Sequence, residues 1–332
     1  MSKFVVAAPA IGGTAQKRSP HCSRTRVGHE LKKQIRNFWE NSPCDSGFSK
    51  APMGTPAFYR ELDEHRYKSH RRLQSCIEFQ RFAGSQILEI GCGCGSEGER
   101  FVRAGGHYTA FDLTYAALSI TETRFRLAKL RGAHFVQGDA EDLPFASNRF
   151  DLVYSHGVLH HVPNTAKTIL EIHRVLRPGG RAIVMLYHRN SFNYQVNLRL
   201  VRRVRSRMLT NSLGLTLARR IWHEPEEELR RHAELMKHEP DSHLDMQKLL
   251  NRNTDGPDNP LSQAFSKFSA GEMFRQFSKV EMEVMFWNPN WLPGIGRLLP
   301  RTVEDCLASV WGWHLWMFAQ KHQLRFASDE AS

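Results

Sequence analysis

The chain has 332 residues, a mass of 38.2 kDa and a formal net charge of +12 at pH 7. This length supports one well-buried α/β domain with an accessory region, or at most two modest domains. Hydrophobic residues make up 41% of the chain, which excludes an intrinsically disordered protein. No uninterrupted apolar stretch is long enough to cross a bilayer. The positive charge suits nucleic acid or an anionic membrane surface as a partner, or reflects only a basic surface.

The cysteines are scattered without the paired spacing of zinc ligands, and no secretory signal opens the chain. These features predict a reduced, cytoplasmic protein without a metal site. Cys92 and Cys94 alternate with glycines, which indicates small residues in a tight turn rather than ligands.

Periodicity and composition divide the chain into five predicted segments. They are a flexible tail (1–27), an N-terminal helical cover (28–84), a core (85–190), a helical insertion or lid (191–265) and a segment that completes the sheet (266–325). Within the cover, Phe38–Cys44 is predicted as a turn and Phe58–Phe82 as a charged helix.

From Gln86 onward, short apolar runs alternate with amphipathic segments, which is typical of parallel strands joined by crossover helices. Helices are predicted to begin near Ser96, Tyr115 and Ala166, and Arg177–Gly180 should end the last of them. The pattern predicts an α/β fold with a doubly wound, mostly parallel, seven-stranded sheet. The predicted strands are Ile87–Ile90, Tyr108–Phe111, His134–Gln137, Phe150–Tyr154, Arg181–Tyr187, Lys279–Trp287 and His314–Gln320.

A glycine-rich segment, Leu88–Gly95, stands where the first core strand should enter a helix. Glycines at such a junction let the backbone turn sharply and approach a ligand closely. A dinucleotide fingerprint needs glycine at its first, third and sixth positions, but the sixth position counted from Gly91 is Ser96. The spacing therefore weakens the alternative of a nicotinamide-dependent dehydrogenase.

This segment resembles the first motif of the class I, type 11-like, S-adenosylmethionine-dependent methyltransferases, and the resemblance extends over Gln86–His188. It implies S-adenosylmethionine as cofactor, with Asp112 accepting hydrogen bonds from the ribose hydroxyls and Asp139 accepting from the adenine amine. Asp112 could instead cap the next helix, and Asp139 could belong to a turn. The implied cofactor-binding residues are Glu89, Gly91, Cys92, Gly93, Gly95, Asp112, Leu113, Asp139, Ala140 and Ser155.

The chemistry implied by this cofactor needs alignment of acceptor, methyl carbon and sulfur, and no metal. An acceptor hydroxyl or acidic carbon would also need a base, and His156, at the predicted end of the fourth strand, is the candidate. His160 and His161 are interpreted as packing and capping residues. Arg66 and Tyr67 are placed either over the cofactor carboxylate or on the surface, and Cys44 is assigned to the cover rather than to nucleophilic chemistry.

The insertion carries no acidic residue between Ser191 and His223 but many arginines. Leu198, Val201, Val204 and Met208 follow steps of three and four, which predicts one apolar helical face. That face would pack on the core as a lid or rest on an anionic bilayer. Trp311, Trp313 and Trp316 near the end of the chain close the sheet edge or line an apolar pocket.

These observations predict a methyltransferase acting on oxygen or carbon of a small, lipid-like or quinone-like metabolite. The alternatives are an RNA methyltransferase that uses the basic surface, and a cofactor-binding protein without turnover. The expected location is the cytoplasm, with peripheral contact to an anionic membrane and with nucleic acid the less favoured partner.

Overall fold

An eight-stranded twisted sheet organises the chain, with the strand order β1-β4-β3-β2-β5-β6-β8-β7. The computed structural model describes residues 5–6, 21–209, 211–222, 226–239, 241, 244–292 and 296–323. The strands are β1 (Val5–Val6), β2 (Gln86–Ile90), β3 (His107–Asp112), β4 (His134–Gln137), β5 (Phe150–His156), β6 (Leu176–Tyr187), β7 (Lys279–Met285) and β8 (His314–Gln320).

Strands β1 to β6 pair in parallel, whereas β8 runs antiparallel to both of its neighbours, β6 and β7. The predicted α/β, Rossmann-like class is confirmed, and the seven predicted strands are all present. The prediction of a mostly parallel sheet needs correction at β8, which is antiparallel to its neighbours. The two residues of β1 add an eighth strand at the edge of the sheet, and the sequence did not predict it. Apolar runs reveal where a strand lies but not its direction, which explains the first difference.

Twelve α-helices are present in the described part of the chain. They are α1 (His21–Asn41), α2 (Pro56–Ser69), α3 (Leu73–Ile77), α4 (Ser96–Arg103), α5 (Tyr115–Leu127), α6 (Thr165–Val175), α7 (Arg203–Met208), α8 (Ser212–Trp222), α9 (Glu226–His238), α10 (Met246–Arg252), α11 (Lys267–Met273) and α12 (Arg301–Trp311). Side-chain caps fix several starts: Thr55 accepts from the Phe58 amide and Asn164 from the Lys167 amide.

The N-terminal cover differs in detail from its prediction. The single helix expected over Phe58–Phe82 is broken into α2, α3 and a short 3₁₀ turn at Phe79–Phe82, and Glu78 separates the last two with a left-handed φ of 50°. The turn expected at Phe38–Cys44 was also wrong in its first half, since α1 continues to Asn41. Helix α1 begins at His21, inside the predicted tail, while residues 1–4 and 7–20 lie outside the described residues.

Two further expectations fail for identifiable reasons. Arg177–Gly180 lies inside β6 rather than in a helix terminus, because α6 already ends at Val175. The insertion does not present the expected apolar face: Leu198 is fully buried, but Val204 is 58% exposed. The segment Asn193–Arg202 is π-helical, and i to i+5 hydrogen bonds take more residues per turn, so steps of three and four do not keep to one face.

The core lies on both faces of the sheet because successive strand residues point to opposite sides. Ile87 and Leu152 belong to the cluster on one face, and Leu88 and Val153 to the cluster on the other. With both faces covered, the ends of the parallel strands remain as the place where loops and ligands meet.

Trp316 in β8 anchors this sheet, because its side chain is only 1% exposed. We expect Trp316→Ala to lower the free energy of unfolding by about 3–5 kcal/mol, the usual cost of emptying a buried aromatic site. Trp311→Ala is the matched control, since Trp311 is 50% exposed, and should cost less than about 1 kcal/mol. Urea denaturation measures both; equal losses would show that Trp316 does not carry this packing.

Candidate functional site

A crevice of about 1150 Å³, including its open mouth, lies at the carboxyl ends of β2, β3, β4 and β5. Helix α1 and the segment around Cys44 form its other wall. Most of the predicted site residues line it, namely Glu89, Gly91, Cys92, Gly93, Asp112, Leu113, Asp139, Ala140 and His156. Gly95 and Ser155 do not line it.

The turn after β2 depends on glycine for two different reasons. Gly91 has φ of 78°, and a Cβ there would lie 2.1 Å from the Val158 side chain. Gly95 has φ of 74°, caps α4, and would bring a Cβ to 2.8 Å from Thr121. A Cβ on Gly93 would approach only Cys44, at 3.9 Å, so its backbone faces the open crevice. Gly91 and Gly95 hold the turn, and Gly93 presents it to a ligand.

Asp112, at the end of β3, is positioned by its own backbone. Its Oδ1 accepts hydrogen bonds from the amide and hydroxyl of Thr114, at 2.9 and 2.8 Å. Its Oδ2 lies 3.5 Å from the Gly93 amide nitrogen. Burial raises the pKa of this carboxyl above its usual value, although the hydrogen bonds from Thr114 and Gly93 oppose the shift. Oδ2 is therefore oriented toward the glycine turn with capacity to accept further hydrogen bonds.

Asp139 is paired with a residue that the sequence did not single out. The ammonium of Lys32, in α1, lies 2.6 Å from Asp139 Oδ2 and 2.8 Å from a carboxylate oxygen of Glu141. Glu40, two turns further along α1, accepts from the Tyr115 and Ala116 amides at the start of α5. Helix α1 is thus held across the crevice at its middle, by Lys32, and at its C-terminal end, by Glu40. A lysine within a charged helix gives no sequence signal of this contact.

Two predicted cofactor contacts are internal to the fold. The Glu89 side chain is 2% exposed and accepts a short hydrogen bond from the Tyr108 hydroxyl. Burial, with Glu97 nearby, raises the pKa of Glu89 well above its usual value. Ser155 is fully buried and donates to the Ile90 carbonyl at 2.9 Å. Glu89 still borders the crevice, whereas Ser155 joins β5 to β2 beneath it.

His156 is held by Arg66, whose Nη2 lies 2.7 Å from His156 Nδ1. Because a guanidinium only donates, Nδ1 must accept, and the neutral ring carries its proton on Nε2. Burial and the charge of Arg66 keep the pKa of His156 well below its usual value. In this arrangement His156 offers a donor to the site and not a free basic nitrogen, so the geometry does not favour its predicted role as a base.

Arg66 itself has its charge balanced within the protein. It contacts Asp45 at 2.6 Å and Glu97 at 2.7 Å. Cys44, which the sequence placed in the cover, borders the same crevice. Burial raises the pKa of the Cys44 thiol well above its usual value, so it stays protonated and is a poor nucleophile.

Comparison with known proteins agrees with this site. Residues 88–184 match the family model described as a methyltransferase domain. This segment is therefore similar to a methyltransferase domain, which agrees with the resemblance seen in the motifs. The segment holds the glycine turn, Asp112 and Asp139, and it leaves out Lys32 and Arg66.

Particular relatives share this part of the chain. The chain is similar to the phthiotriol/phenolphthiotriol dimycocerosates methyltransferase of Mycobacterium leprae, with 35% identity over 39% of this chain and 47% of the relative. It is also similar to the fatty-acid O-methyltransferase of Mycolicibacterium smegmatis, with 36% identity over 39% of this chain and 46% of the relative. The chain thus spans less than half the length of these curated relatives.

A solved structure of an S-adenosylmethionine-dependent methyltransferase from Methanosarcina mazei aligns with 75% of this chain and 97% of its own length, at 17% identity and a TM-score of 0.45. A likeness of this degree says nothing about the acceptor.

Gly91→Ala should damage the crevice, because the new Cβ meets Val158 as well as straining a positive φ. We expect it to cost at least about 2 kcal/mol more stability than Gly132→Ala, and to abolish cofactor binding. Gly132 is a matched control with φ of 83° and nothing within 4 Å of the added Cβ. Urea unfolding and calorimetric titration with S-adenosylhomocysteine test this; similar effects of both substitutions would contradict it.

Proposed function

We propose that the protein transfers a methyl group from S-adenosylmethionine to an oxygen or carbon atom of a small apolar metabolite. The observation that carries this proposal is the open backbone at Gly93 beside the oriented Oδ2 of Asp112. The match of residues 88–184 to a methyltransferase domain supports the reaction type. The relatives named for a fatty acid and for phthiotriol dimycocerosates support an apolar acceptor.

The residues present fit this cofactor. The backbone at Gly93 would receive its methionine and sugar portions, since only Cys44 comes within 4 Å of the position that a Cβ would take there. Asp112 would accept from the ribose hydroxyls, and Asp139 and Ala140 would border the adenine. When bound, the cofactor supplies an electrophilic methyl group on a positively charged sulfur.

The remaining work of the site is orientation and exclusion of water. Trp39 on α1 packs edge-on against His161 at 5.0 Å between ring centroids, and both border the crevice. Lys32 and Glu40 hold this helix over the domain. His156 presents Nε2–H at the inner wall, where it would donate a hydrogen bond to an acceptor oxygen.

Asp112→Asn tests the cofactor contact directly. Asparagine keeps an acceptor for Thr114 but replaces the other oxygen by an amide that cannot accept from a ribose hydroxyl. We expect affinity for S-adenosylmethionine to fall roughly ten- to hundredfold, the value of one hydrogen bond to a charged group. Asp142→Asn, an exposed position in the same region, is the control. Calorimetric titration gives both affinities, and an unchanged affinity in Asp112→Asn would refute the assignment.

The same contact predicts a pH dependence. Because burial raises the pKa of Asp112, the carboxyl gains a proton at a higher pH than an exposed aspartate does. The neutral acid accepts hydrogen bonds less well, so cofactor affinity should fall on acidification from neutral pH. Titrations from pH 7.5 downward, over the range in which the protein stays folded, should show this fall in the unmodified protein and a flatter profile in Asp112→Asn. Parallel profiles would show that another group controls binding.

The acceptor class is tested by incubating purified protein with methyl-labelled S-adenosylmethionine and fractionated cell extract. Label in the lipid or small-metabolite fraction would support the proposal. Label in RNA would favour an RNA methyltransferase, and cofactor binding without any label transfer would favour a protein without turnover. Asp112→Asn protein in the same extract is the negative control.

We also propose that the insertion contacts an anionic membrane. Among the described residues, no helix has both the length and the apolar character needed to span a bilayer. The insertion nevertheless exposes large apolar side chains among arginines: Leu200, Val204, Leu213 and Leu217 are 48–80% exposed. Arg199 and Arg219 lie next to these positions in sequence or on the same helix. Exposed leucines with neighbouring cations suit the boundary of an anionic bilayer.

Cosedimentation with vesicles of anionic phospholipid measures this contact. We expect the protein to pellet with the vesicles at low salt, and Leu213→Ser/Leu217→Ser to weaken binding about thirtyfold or more, since each of the two buried leucines contributes on the order of 1–2 kcal/mol. Leu170→Ser, at an exposed leucine of α6, is the matched control. Failure of the unmodified protein to pellet would count against membrane contact and would leave the methyl-transfer proposal unchanged.

A further inference from the structure

A second pocket lies behind the crevice. It is formed by the chain around the end of α2, the end of β7, helix α12 and the start of β8. Its volume is about 470 Å³ including the mouth. Apolar and aromatic side chains form its walls, among them Leu73, Met285, Phe286, Trp287, Ala308 and Trp316. His70 and His314 also border this pocket, while His156 borders the crevice, so the three histidines stand at the junction of the two spaces.

The wall of the second pocket is built with a strained residue. Phe286, just after β7, adopts φ of 73°, a left-handed conformation that a side-chain-bearing residue seldom takes. Its ring stacks on His70 and His314, with centroid distances of 4.9 and 4.4 Å and interplanar angles of 18° and 9°. Strain of this kind persists where the surrounding structure enforces it, and it clusters at ligand sites. Phe286, His70 and His314 thus form a group of three nearly parallel rings beside the pocket.

The histidine cluster offers opposite hydrogen-bonding groups to one point. One ring nitrogen from each of His70, His156 and His314 lies within 4.8 Å of the others. His70 Nδ1 donates to the Arg66 carbonyl at 3.0 Å, which leaves the lone pair of Nε2 free. His156 accepts from Arg66 at Nδ1 and therefore carries a hydrogen on Nε2. Because Arg66 engages Nδ1 of both rings, the nitrogen left for a ligand is Nε2 in each, an acceptor in His70 and a donor in His156.

The hydrogen bond between Arg66 and His156 favours a hydroxyl group over a metal ion at this point. A metal bound at Nε2 of His156 would require a proton on Nδ1. That proton would point at the Arg66 guanidinium, which already donates a hydrogen bond to Nδ1.

We propose that this second pocket binds the methyl acceptor, and that the acceptor is a planar aromatic compound bearing a hydroxyl group. Its ring lies against the aromatic wall formed by Phe286 and the stacked histidines. Its hydroxyl donates to His70 Nε2 and accepts from His156 Nε2–H, which places the oxygen at the boundary with the cofactor crevice. This assignment rests on the proposed methyl-transfer function and narrows its substrate class.

The mouth of the pocket lies between α12 and the turn after α2. Arg71 crosses it to Glu304 and Asp305 of α12, with contacts of 3.1 and 3.2 Å. These are partly exposed ion pairs, which contribute little stability and separate readily. A neutral aromatic ring could enter past them without leaving a buried charge unpaired.

Binding of p-cresol and p-xylene tests the proposal, because these molecules have the same shape and differ by a hydroxyl in place of a methyl group. Saturation-transfer NMR with S-adenosylhomocysteine present measures both dissociation constants. We expect p-cresol to bind at least about tenfold more tightly, the value of one or two hydrogen bonds. In His70→Phe, which keeps a flat ring but no nitrogen, p-cresol should lose most of this advantage, because only the hydrogen bond from His156 remains.

A second pair of variants tests the location. Ala308→Trp should fill the pocket and prevent binding of both probes, because Ala308 is 7% exposed and borders it. Val310→Trp places the same side chain at a 59% exposed position of α12 and should change neither affinity. Calorimetric titration of every variant with S-adenosylhomocysteine measures separately whether the crevice still binds the cofactor product. If the unmodified protein does not bind S-adenosylhomocysteine, the methyl-transfer function is refuted, whatever the two probes show.

Three results would overturn the assignment of the second pocket. They are no saturable binding of p-cresol to protein that binds S-adenosylhomocysteine, equal affinities for p-cresol and p-xylene in the unmodified protein, or full probe binding by Ala308→Trp. Stoichiometric retention of Zn²⁺ after dialysis, lost in His314→Phe, would assign the histidines to a metal and would also overturn it.

Discussion

The close contact between the turn after β2 and the loop after β5 is the constraint on which the site depends. Gly91 can pack against Val158 only because it has no side chain, and its positive φ turns the chain toward the carboxyl end of the sheet. Once that turn is made, Gly93 faces open space and its amide approaches Asp112 on the neighbouring strand. Parallel pairing of β2 with β3 and β5 brings these loops to one edge.

A network of paired charges connects this turn to the N-terminal cover. Arg66 of α2 contacts Glu97 of α4, and Arg124 of α5 contacts Asp63 of α2 and Glu99 of α4. Removing one partner of such a buried pair leaves a charge unpaired, which is strongly unfavourable. The cover and the core are therefore fixed relative to each other, and the orientation of His156 through Arg66 follows from the same network.

The core and its cofactor motif could be predicted from the sequence because both are local patterns. Apolar runs locate each core strand within a few residues, and the glycine spacing with Asp112 identifies the turn and its ligand. Features formed by distant segments could not be predicted. The Lys32–Asp139 contact joins positions 107 apart, and His70, His156 and His314 come from three separate elements. The π-helical start of the insertion was not predicted, because no residue pattern distinguishes a π-helix from an α-helix.

The central claim is that the glycine-lined crevice holds S-adenosylmethionine. Ultraviolet crosslinking of the labelled cofactor to the unmodified protein, followed by peptide mapping, tests it most directly. The account predicts label on peptides that contain residues 91–94, 112–113 or 138–140, and its loss when S-adenosylhomocysteine competes. Label confined to other parts of the chain, or label displaced by NADH and not by S-adenosylhomocysteine, would contradict it.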